Sequence, residues 1–278
     1  MTEFPKVLLL ALLQGVAEFL PVSSSAHLAV GKALLGLRSP GLTLELALHV
    51  GTLLSVLVFF RRTVRWALSG TLRGDREAWR YALAILLSML PCGIAAAVLG
   101  DRLERAFGHA AWIGCGWLVT AALLLTMRHG GRPAKPVVDD AAHRGRVPPA
   151  TAFAMGLGQA VAMFPGISRS GTTIWVAWRM GLPAAEAARF SFLMSVPVVG
   201  GALLLAVAKT LRAGGADAAL AAGAPPATWM LAAGAATAAV VGYASLSLLV
   251  RMLERGRFWV FGVYCALAGV AMLLASAR

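Results

Sequence analysis

Long apolar segments alternate with short polar connections along most of the chain. Six of these segments are long enough to cross a bilayer, which takes about 20 residues for one helix. They cover residues 42–60, 80–100, 110–127, 188–208, 228–250 and 258–276. The pattern therefore predicts an all-α polytopic membrane protein with six transmembrane helices.

Two further apolar regions are interrupted by polar residues. Residues 6–37 and residues 150–182 each contain two short apolar pieces that are separated by Pro, Gly and Ser. No single piece is long enough to span a bilayer. Helix breaks at membrane depth are tolerated only where protein or a water-filled cavity satisfies the freed backbone groups. We therefore expect two re-entrant helical hairpins, each with a polar tip.

The two interrupted regions resemble each other. QGVAEFLPVSSS (14–25) aligns with QAVAMFPGISRS (159–170) after a one-residue deletion. This similarity predicts two halves of one design within a single membrane domain. If each hairpin returns to its own side and three spans follow, the halves are inverted and the two tips meet near the midplane. The single domain covers residues 1–278. Its halves cover about 1–128 and 150–278, and a cytoplasmic loop at 129–149 joins them.

Composition excludes a soluble protein. The chain has 278 residues, of which 59% are hydrophobic and 13% are charged, and its mean hydropathy is +0.77. Lipid is therefore the solvent for most of the chain. A net charge of +13 would suit a nucleic-acid partner, but the basic residues lie in short runs between apolar segments. Such runs are typical of loops that orient membrane proteins, so we expect membrane lipids as partners and no nucleic acid.

The distribution of lysine and arginine orients the predicted spans. RRTVR (61–65), RMLERGR (251–257) and the long basic loop at 129–149 all fall on the same side. Positive charge accumulates in cytoplasmic loops of membrane proteins. Both termini and the opening of the first hairpin are therefore expected on the outer side of the membrane.

The candidate chemistry lies at the two polar tips. Glu18, His27 and Arg169 are ionisable residues beside a predicted helix break. A charged side chain at the centre of a spanning helix costs about 2.5–3.5 kcal/mol, so such residues need a partner or a purpose. One interpretation is that Glu18 and Arg169 pair only to tie the hairpins together. That interpretation leaves the hydroxyl groups around them unexplained.

Hydroxyl groups and a glycine surround these charges. Serine and threonine can satisfy backbone groups around helix breaks, which is a purely structural role. However, a Gly-flanked turn that leads into a helix N-terminus beside an arginine is a common way to hold phosphate. The predicted phosphate-binding residues are Ser23, Ser25, Ser168, Arg169, Ser170, Gly171 and Thr172.

A candidate nucleophile and base lie together on the first tip. His27 follows Ser24 by three residues, so on a helix that begins near Ser24 the two side chains share a face. Serine needs a base to act as a nucleophile, and histidine is the usual one. Histidine can also form a phospho-intermediate itself, so the attacking residue stays open. Glu45 and His49 lie four residues apart at the start of the first full span, where support of the site and simple capping are both open.

Two long motifs resemble a known family. QGVAEFLPVSSSAHL (14–28) and PGISRSGTT (165–173), followed by LHVGTLLSVLVFF (48–60) and FSFLMSVPVVGG (190–201), are similar to the bacitracin-resistance type of undecaprenyl-diphosphatase. The resemblance covers nearly the whole chain, in order and at the family's spacing. It implies a multi-pass phosphatase of the bacterial cytoplasmic membrane, with inverted repeats, re-entrant helices and a site that faces the periplasm.

The resemblance also implies an activity and a set of residue roles. The family removes the terminal phosphate of undecaprenyl diphosphate, which returns the monophosphate carrier to peptidoglycan synthesis and confers bacitracin resistance. The family's motif serine, histidine and arginine match Ser24, His27 and Arg169, and its second acidic position matches Glu18. These four residues are the implied catalytic residues.

A divalent cation is the cofactor that the resemblance implies. Glu18, helped by the amide oxygen of Gln14, would hold Mg²⁺ or Ca²⁺ against the diphosphate, because hard cations prefer oxygen ligands. Gln14 departs from family members that carry two carboxylates at these positions. The rival hypothesis is a lipid or small-molecule transporter of the same architecture. Transport does not require a set of serine, histidine, arginine and glutamate, so that set favours bond cleavage. Oligomeric state, including a homodimer, is left open.

Overall fold

All regular structure in the described part of the chain is helical. The computed structural model describes residues 3–36, 43–129, 147–212 and 227–277. Every regular element in these ranges is a helix, which confirms the predicted all-α class. The α-helices are α1 (Glu3–Ala17), α2 (Ser24–Leu34), α3 (Thr43–Phe59), α4 (Arg61–Leu72), α5 (Arg76–Ala106), α6 (Ala110–Leu125), α7 (Pro149–Val161), α8 (Arg169–Arg179), α9 (Ala184–Leu193), α10 (Ser195–Arg212), α11 (Thr228–Glu254) and α12 (Val260–Ser276). A short 3₁₀ helix covers Thr126–His129.

Two pairs of short helices are separated by a break. Residues 18–23 lie between α1 and α2, and residues 162–168 lie between α7 and α8. Each break contains a proline, Pro21 or Pro165, which lacks a backbone N–H and does not continue a helix. In the second break, Gly166 takes a φ of +88°, which glycine adopts without a steric penalty. The two helices of each pair pack against each other, so each interrupted region consists of two short helices joined at a break.

Several helices are suited to cross a membrane. Four of the described helical segments are long and apolar enough, and a fifth span is added if the bent pair α3 and α4 counts as one. The four are Arg76–Gly100, Ala110–Arg128, Ala184–Leu205 and Thr228–Glu254. All six predicted segments contain a helix, but α3 and α12 have only 17 residues each. The chain is a multi-pass helical membrane protein.

The expectation of a basic loop at residues 61–65 is wrong. These residues begin α4, which turns by 79° from α3. Arg61 and Arg65 are exposed near its start, and Leu68 and Leu72 are exposed towards its end. The arginines interrupt the apolar pattern of the sequence, although a helix at a bilayer surface accommodates charge and apolar side chains together. The predicted basic run at 251–257 is a loop only after Glu254, where α11 ends. The predicted loop at 129–149 lies outside the described residues except at its ends.

The outer surface of the long helices is apolar. Leu83, Ile94 and Val98 of α5 are 55%, 64% and 71% exposed. Water would disfavour a surface of this kind, whereas lipid chains cover it in a membrane. Burial is concentrated around the two breaks instead. Phe19 of the first break packs on Phe192 of α9, with ring centroids 5.5 Å apart.

Helix α6 holds the second break from behind. A Cβ atom at Gly116 would lie 2.0 Å from the carbonyl oxygen of Pro165, so only glycine lets the helix and the break approach this closely. One turn further along α6, the Thr120 hydroxyl lies 3.2 Å from the carbonyl oxygen of Gly166. The same hydroxyl accepts a hydrogen bond of 2.9 Å from the backbone N–H of Ser168. These contacts fix the second break relative to α6.

Candidate functional site

The two breaks meet through a buried ion pair. Arg169 Nη2, at the start of α8, donates to Glu18 Oε1 in the first break at 2.6 Å. The Glu18 side chain is only 8% exposed, and that of Arg169 is 21% exposed. Arg169 Nη1 is buried and has no hydrogen-bond partner among the described residues. The guanidinium group therefore keeps one donor free for a further acceptor.

Ser24 and Gln14 share the second oxygen of the Glu18 carboxylate. The Ser24 hydroxyl donates to Glu18 Oε2 at 2.7 Å, and Gln14 Nε2 donates to the same oxygen at 3.0 Å. Gln14 lies one helical turn before Glu18, so the helical repeat alone brings their side chains together. The carboxylate is the base that Ser24 reaches by a direct hydrogen bond.

A strained residue precedes Ser24. Ser23 has a φ of 68° and a ψ of 91°, and no other non-glycine residue in the described ranges has a positive φ. Such backbone costs about 1–3 kcal/mol and persists only where its surroundings hold it. The Ser23 hydroxyl lies 3.3 Å from that of Ser25 and does not cap α2. The first N–H groups of α2 therefore lack a side-chain cap, which leaves them available to an anion.

The second tip is closed by its own serine. Ser168 Oγ accepts a hydrogen bond of 3.1 Å from the backbone N–H of Gly171 and lies 3.3 Å from Ser170 Oγ. The Gly171 N–H, which the sequence placed in the phosphate-binding set, is thus already bonded. Thr172 Oγ1 is buried and has no partner in the described structure. The two tips therefore differ, because α8 is capped and α2 is not.

His27 does not bond to Ser24. Its Nδ1 lies 2.8 Å from the carbonyl oxygen of Ser23, and its Nε2 lies 2.6 Å from the hydroxyl of Tyr264. The ring packs edge-on against Trp117, with centroids 5.2 Å apart. The three-residue spacing does place His27 on the helix after Ser24, but Ser24 is the first residue of α2 and its hydroxyl bonds back to Glu18.

A small cavity lies between the tips. Its volume is about 50 Å³, several times the roughly 10–15 Å³ that one water molecule needs. Residues of both breaks and of both following helices line it: Ala17, Glu18, Ser23, Ser24, Ser25, Ala162, Ile167, Ser168, Arg169 and Ser170. Seven of the candidate residues from the sequence thus face one shared space. Gln14, His27, Gly171 and Thr172 do not line it.

The chain matches a known protein family over most of its length. Residues 7–271 match the family model described as bacitracin resistance protein BacA. The chain belongs to the BacA family. The match spans both breaks, all twelve α-helices apart from the ends of α1 and α12, and every residue that lines the cavity.

Curated relatives of this BacA-family chain share its full length. A protein of Bacteroides fragilis strain YCH46 is 36% identical over 277 residues, covering 99% of this chain and 98% of the relative. One of Geobacter sulfurreducens is 38% identical over 269 residues, covering 95% of each chain. One of Desulfosudis oleivorans is 37% identical over 274 residues, covering 94% of each. All three relatives carry the name undecaprenyl-diphosphatase.

The pair Glu45 and His49 is divided between two partners. His49 Nε2 lies 3.8 Å from Glu18 Oε2, and His49 Nδ1 lies 2.8 Å from the backbone carbonyl oxygen of Glu45. The Glu45 carboxylate forms an ion pair with Lys32 of α2 instead. His49 therefore borders the site of this BacA-family protein, and Glu45 ties α3 to α2.

Gln14 offers an oxygen that fits a cation. Gln14 Oε1 is buried and has no hydrogen-bond partner among the described residues, while the amide nitrogen bonds to Glu18. A buried oxygen without a partner costs free energy, which a bound cation would recover. The described ranges contain no group of three or more His, Cys, Asp or Glu side chains placed to hold a metal ion. A cation at Glu18 and Gln14 would therefore draw its other ligands from substrate, water or hydroxyl oxygens.

Three residues near the site were missed by the sequence interpretation. Thr120, Trp117 and Tyr264 lie in apolar helices far along the chain from the tips that they contact. Trp117 Nε1 donates to the carbonyl oxygen of Val22 in the first break at 2.7 Å. Each carries a polar group in an otherwise apolar segment, and that was the available signal, but only the packing reveals the partner.

Proposed function

We propose that this protein is an integral membrane phosphatase that hydrolyses undecaprenyl diphosphate to undecaprenyl phosphate and phosphate. Membership of the BacA family and the names of its relatives support this substrate. The hydrolytic mechanism is supported most directly by the 2.7 Å hydrogen bond from Ser24 to Glu18. This bond lies beside Arg169, in a cavity that residues of both tips line. The product is the lipid carrier of peptidoglycan synthesis, and its recovery accounts for bacitracin resistance.

Ser24 is the proposed nucleophile and Glu18 its base. As Ser24 Oγ attacks the terminal phosphorus, its proton passes to Glu18 Oε2, the bond from phosphorus to the bridging oxygen breaks, and undecaprenyl phosphate leaves. Water then attacks the phosphoryl group, and Glu18 returns the proton to Ser24 Oγ as the bond from phosphorus to that oxygen breaks. Phosphate leaves with both hydrogens of the water. The direct contact of Ser24 with a carboxylate supports serine over His27 as the attacking residue.

Arg169 and the start of α2 are the proposed phosphate-binding groups. The spare donor of Arg169, Nη1, is suited to a phosphate oxygen, because arginine binds phosphate through more than one N–H. The uncapped N–H groups of α2 and the hydroxyls of Ser23 and Ser25 add donors on the opposite side of the cavity. Charge stabilisation and positioning of this kind supply most of the catalysis in phosphoryl transfer. Ser168 and Ser170 line the other wall, and Gly171 and Thr172 lie behind it in the first turn of α8.

Mg²⁺ or Ca²⁺ is the proposed cofactor, with Glu18 and Gln14 Oε1 as its protein ligands. The unpaired oxygen of Gln14 supports this assignment. When bound, the cation neutralises part of the negative charge on the diphosphate.

The proposed placement in the membrane follows from the charge pattern. We infer six transmembrane helices and two re-entrant hairpins, α1–α2 and α7–α8, in a single domain of two inverted halves. The arginines of α4 and of the end of α11 support a cytoplasmic position for those ends. The cavity then faces the periplasmic side of the bacterial cytoplasmic membrane, where a lipid diphosphate can enter sideways with its tail in the bilayer.

Phosphate release by purified protein in detergent tests this function. The substrate is undecaprenyl diphosphate labelled with ³²P in the terminal phosphate, with Mg²⁺ present. We expect release by the wild type and a loss of at least about 100-fold in Ser24→Ala, because removal of a nucleophile costs orders of magnitude. Ser247→Ala, on the outer part of α11, is the matched control and should keep full activity.

The same assay separates the rival hypotheses. Transport cannot be scored in detergent, so release of phosphate argues for the enzyme, and its absence with metal present would leave the transporter. Acid quenching within the first turnover, before water cleaves the intermediate, should leave label on the wild type but not on Ser24→Ala. A protein-bound label that acid removes and alkali preserves would identify phosphohistidine and reassign the nucleophile to His27.

A further inference from the structure

Both ring nitrogens of His27 already form hydrogen bonds within the protein. Nδ1 lies 2.8 Å from the carbonyl oxygen of Ser23, which only accepts hydrogen bonds, so Nδ1 carries the hydrogen. In the neutral ring, Nε2 is then an acceptor, and the Tyr264 hydroxyl at 2.6 Å donates to it. Neither nitrogen bonds to Ser24, and His27 does not line the cavity. His27 therefore contacts the backbone of the turn at Val22–Ser23 and not the Ser24 hydroxyl.

That turn carries the strained backbone of the first tip. The Ser23 carbonyl oxygen accepts two hydrogen bonds from His27, one from Nδ1 and one of 3.2 Å from the backbone N–H. On the preceding residue, the carbonyl oxygen of Val22 accepts a hydrogen bond from Trp117, whose ring packs against His27. Backbone with a φ of 68° needs such support to persist. The position of Ser24 against Glu18 depends on this turn, because Ser24 directly follows it.

Tyr264 supplies the outermost link. It lies on α12, 237 positions from His27, and α12 packs along α6, the helix that carries Trp117. Tyr264 is 46% exposed, and Leu267 of the same helix is 69% exposed, so this face of α12 meets lipid. Lipid chains offer the Tyr264 hydroxyl no hydrogen-bond partner, whereas His27 Nε2 lies within hydrogen-bond distance of it.

We propose that His27 and Tyr264 are a positioning pair that acts through the backbone of Ser23 to hold Ser24 against Glu18. The inference rests on the proposed phosphatase function, in which Ser24 attacks. His27 then neither receives the proton of Ser24 nor attacks phosphorus, and Tyr264 fixes the orientation of its ring.

The substitution His27→Asn separates this role from acid–base or nucleophilic catalysis. The amide nitrogen of asparagine can take the place of Nδ1 and donate to the Ser23 carbonyl, whereas asparagine neither transfers protons nor forms a phospho-intermediate. We expect His27→Asn to keep more than about one tenth of wild-type kcat, and His27→Ala to lose considerably more. A kcat of His27→Asn as low as that of His27→Ala would overturn the proposal.

The Tyr264 hydroxyl is tested by a double-mutant cycle. Tyr264→Phe should lower kcat by about threefold to tenfold, the range expected for one hydrogen bond, with KM little changed. In the His27→Ala background the same substitution should have no further effect, because the partner is gone. Tyr243→Phe, a half-exposed tyrosine of α11, is the control and should match the wild type. Equal losses from Tyr264→Phe in both backgrounds would contradict the pair.

Thermal unfolding of the wild type, Tyr264→Phe, His27→Ala and the double variant gives a second readout that does not depend on turnover. The shifts caused by Tyr264→Phe and His27→Ala should be less than additive, since both remove one shared hydrogen bond. Additive shifts would overturn the pair even if the substrate assignment were wrong. Failure of the phosphatase function appears differently, as a wild type that releases no phosphate.

Discussion

Arg169 Nη2 lies 2.6 Å from Glu18 Oε1, although 151 positions separate the two residues in the chain. The pair joins the two breaks and neutralises charge at a position where the Glu18 side chain is only 8% exposed. Removal of one partner leaves the other charge buried and unpaired, which is destabilising in itself. Experiments at this pair therefore need separate measurements of folding and of turnover.

Arg169→Ala should reduce phosphate release to less than a few per cent of the wild type. The variant loses the proposed phosphate ligand, and positioning by arginine is a large part of phosphoryl transfer. Arg179→Ala, at the exposed end of the same helix, is the matched control and should remain active. Phosphate release is compared with the elution profile in detergent, which reports folding. A well-folded Arg169→Ala with substantial turnover would remove Arg169 from the phosphate site.

Arg169→Lys refines this prediction. Lysine restores the positive charge beside Glu18 but lacks the planar fork of guanidinium. We expect near-normal elution and thermal stability with turnover that stays well below the wild type. Full turnover would mean that charge alone suffices at this position.

Chelation should stop turnover reversibly. Excess EDTA removes the proposed cation from Glu18 and Gln14, and added Mg²⁺ or Ca²⁺ should restore phosphate release. The measurement is the initial rate before chelation, after chelation and after the addition of metal. An initial rate that EDTA does not change would show that turnover needs no divalent cation.

Gln14→Glu should make the enzyme more dependent on metal. A second carboxylate one turn from Glu18 repels it, and a divalent cation between the two relieves that repulsion. Titration with Mg²⁺ should show a steeper dependence than in the wild type, with low activity at low metal. An identical titration curve for both proteins would contradict a metal at Gln14.

Ser23→Gly and Ser23→Val should differ in stability. Glycine adopts the φ of 68° freely, whereas a β-branched residue there adds to a strain of about 1–3 kcal/mol. We expect Ser23→Gly to unfold at or above the wild-type temperature and Ser23→Val to unfold clearly below it. If both variants unfold at the same temperature, the turn is not held in this conformation.

Gly116→Ala should inactivate the protein because it displaces the second break. Its Cβ would lie 2.0 Å from Pro165 O, so the break or α6 must move and carry Arg169 with it. Gly93→Ala in α5 is the matched control, because a Cβ there has no neighbour within 4 Å. Alanine should be tolerated at 93 and stabilise the helix by about 0.5–1 kcal/mol. Phosphate release and thermal unfolding check both variants.

The sequence predicted the helices and the breaks because local rules determine both. Apolar length decides which segments suit a bilayer. Pro21 and Pro165 break a helix where glycine and serine neighbours also favour a turn, whereas Pro91 lies inside the apolar helix α5. The high cost of charge in lipid likewise singled out Glu18 and Arg169, which the structure places in contact. The sequence did not predict α4, because its arginines interrupt the continuous apolar run by which a transmembrane helix is recognised.

Other parts of the site depend on packing that no local pattern encodes. Spacing placed His27 near Ser24, but the rotamer of each side chain follows from partners elsewhere, namely Tyr264 and Glu18. The positive φ of Ser23 has no sequence signal, since the residue is not glycine. Distant contacts of this kind become visible only when all helices are in place.

The 79° turn between α3 and α4 has a consequence for the height of the site in the bilayer. A helix whose exposed surface carries both arginines and leucines is suited to the zone between lipid tails and water. Because α4 continues directly from α3, the vertical position of α3 is fixed with it. His49 of α3 borders Glu18, so under the proposed membrane placement α4 also sets the depth of the Glu18 carboxylate relative to the lipid head groups.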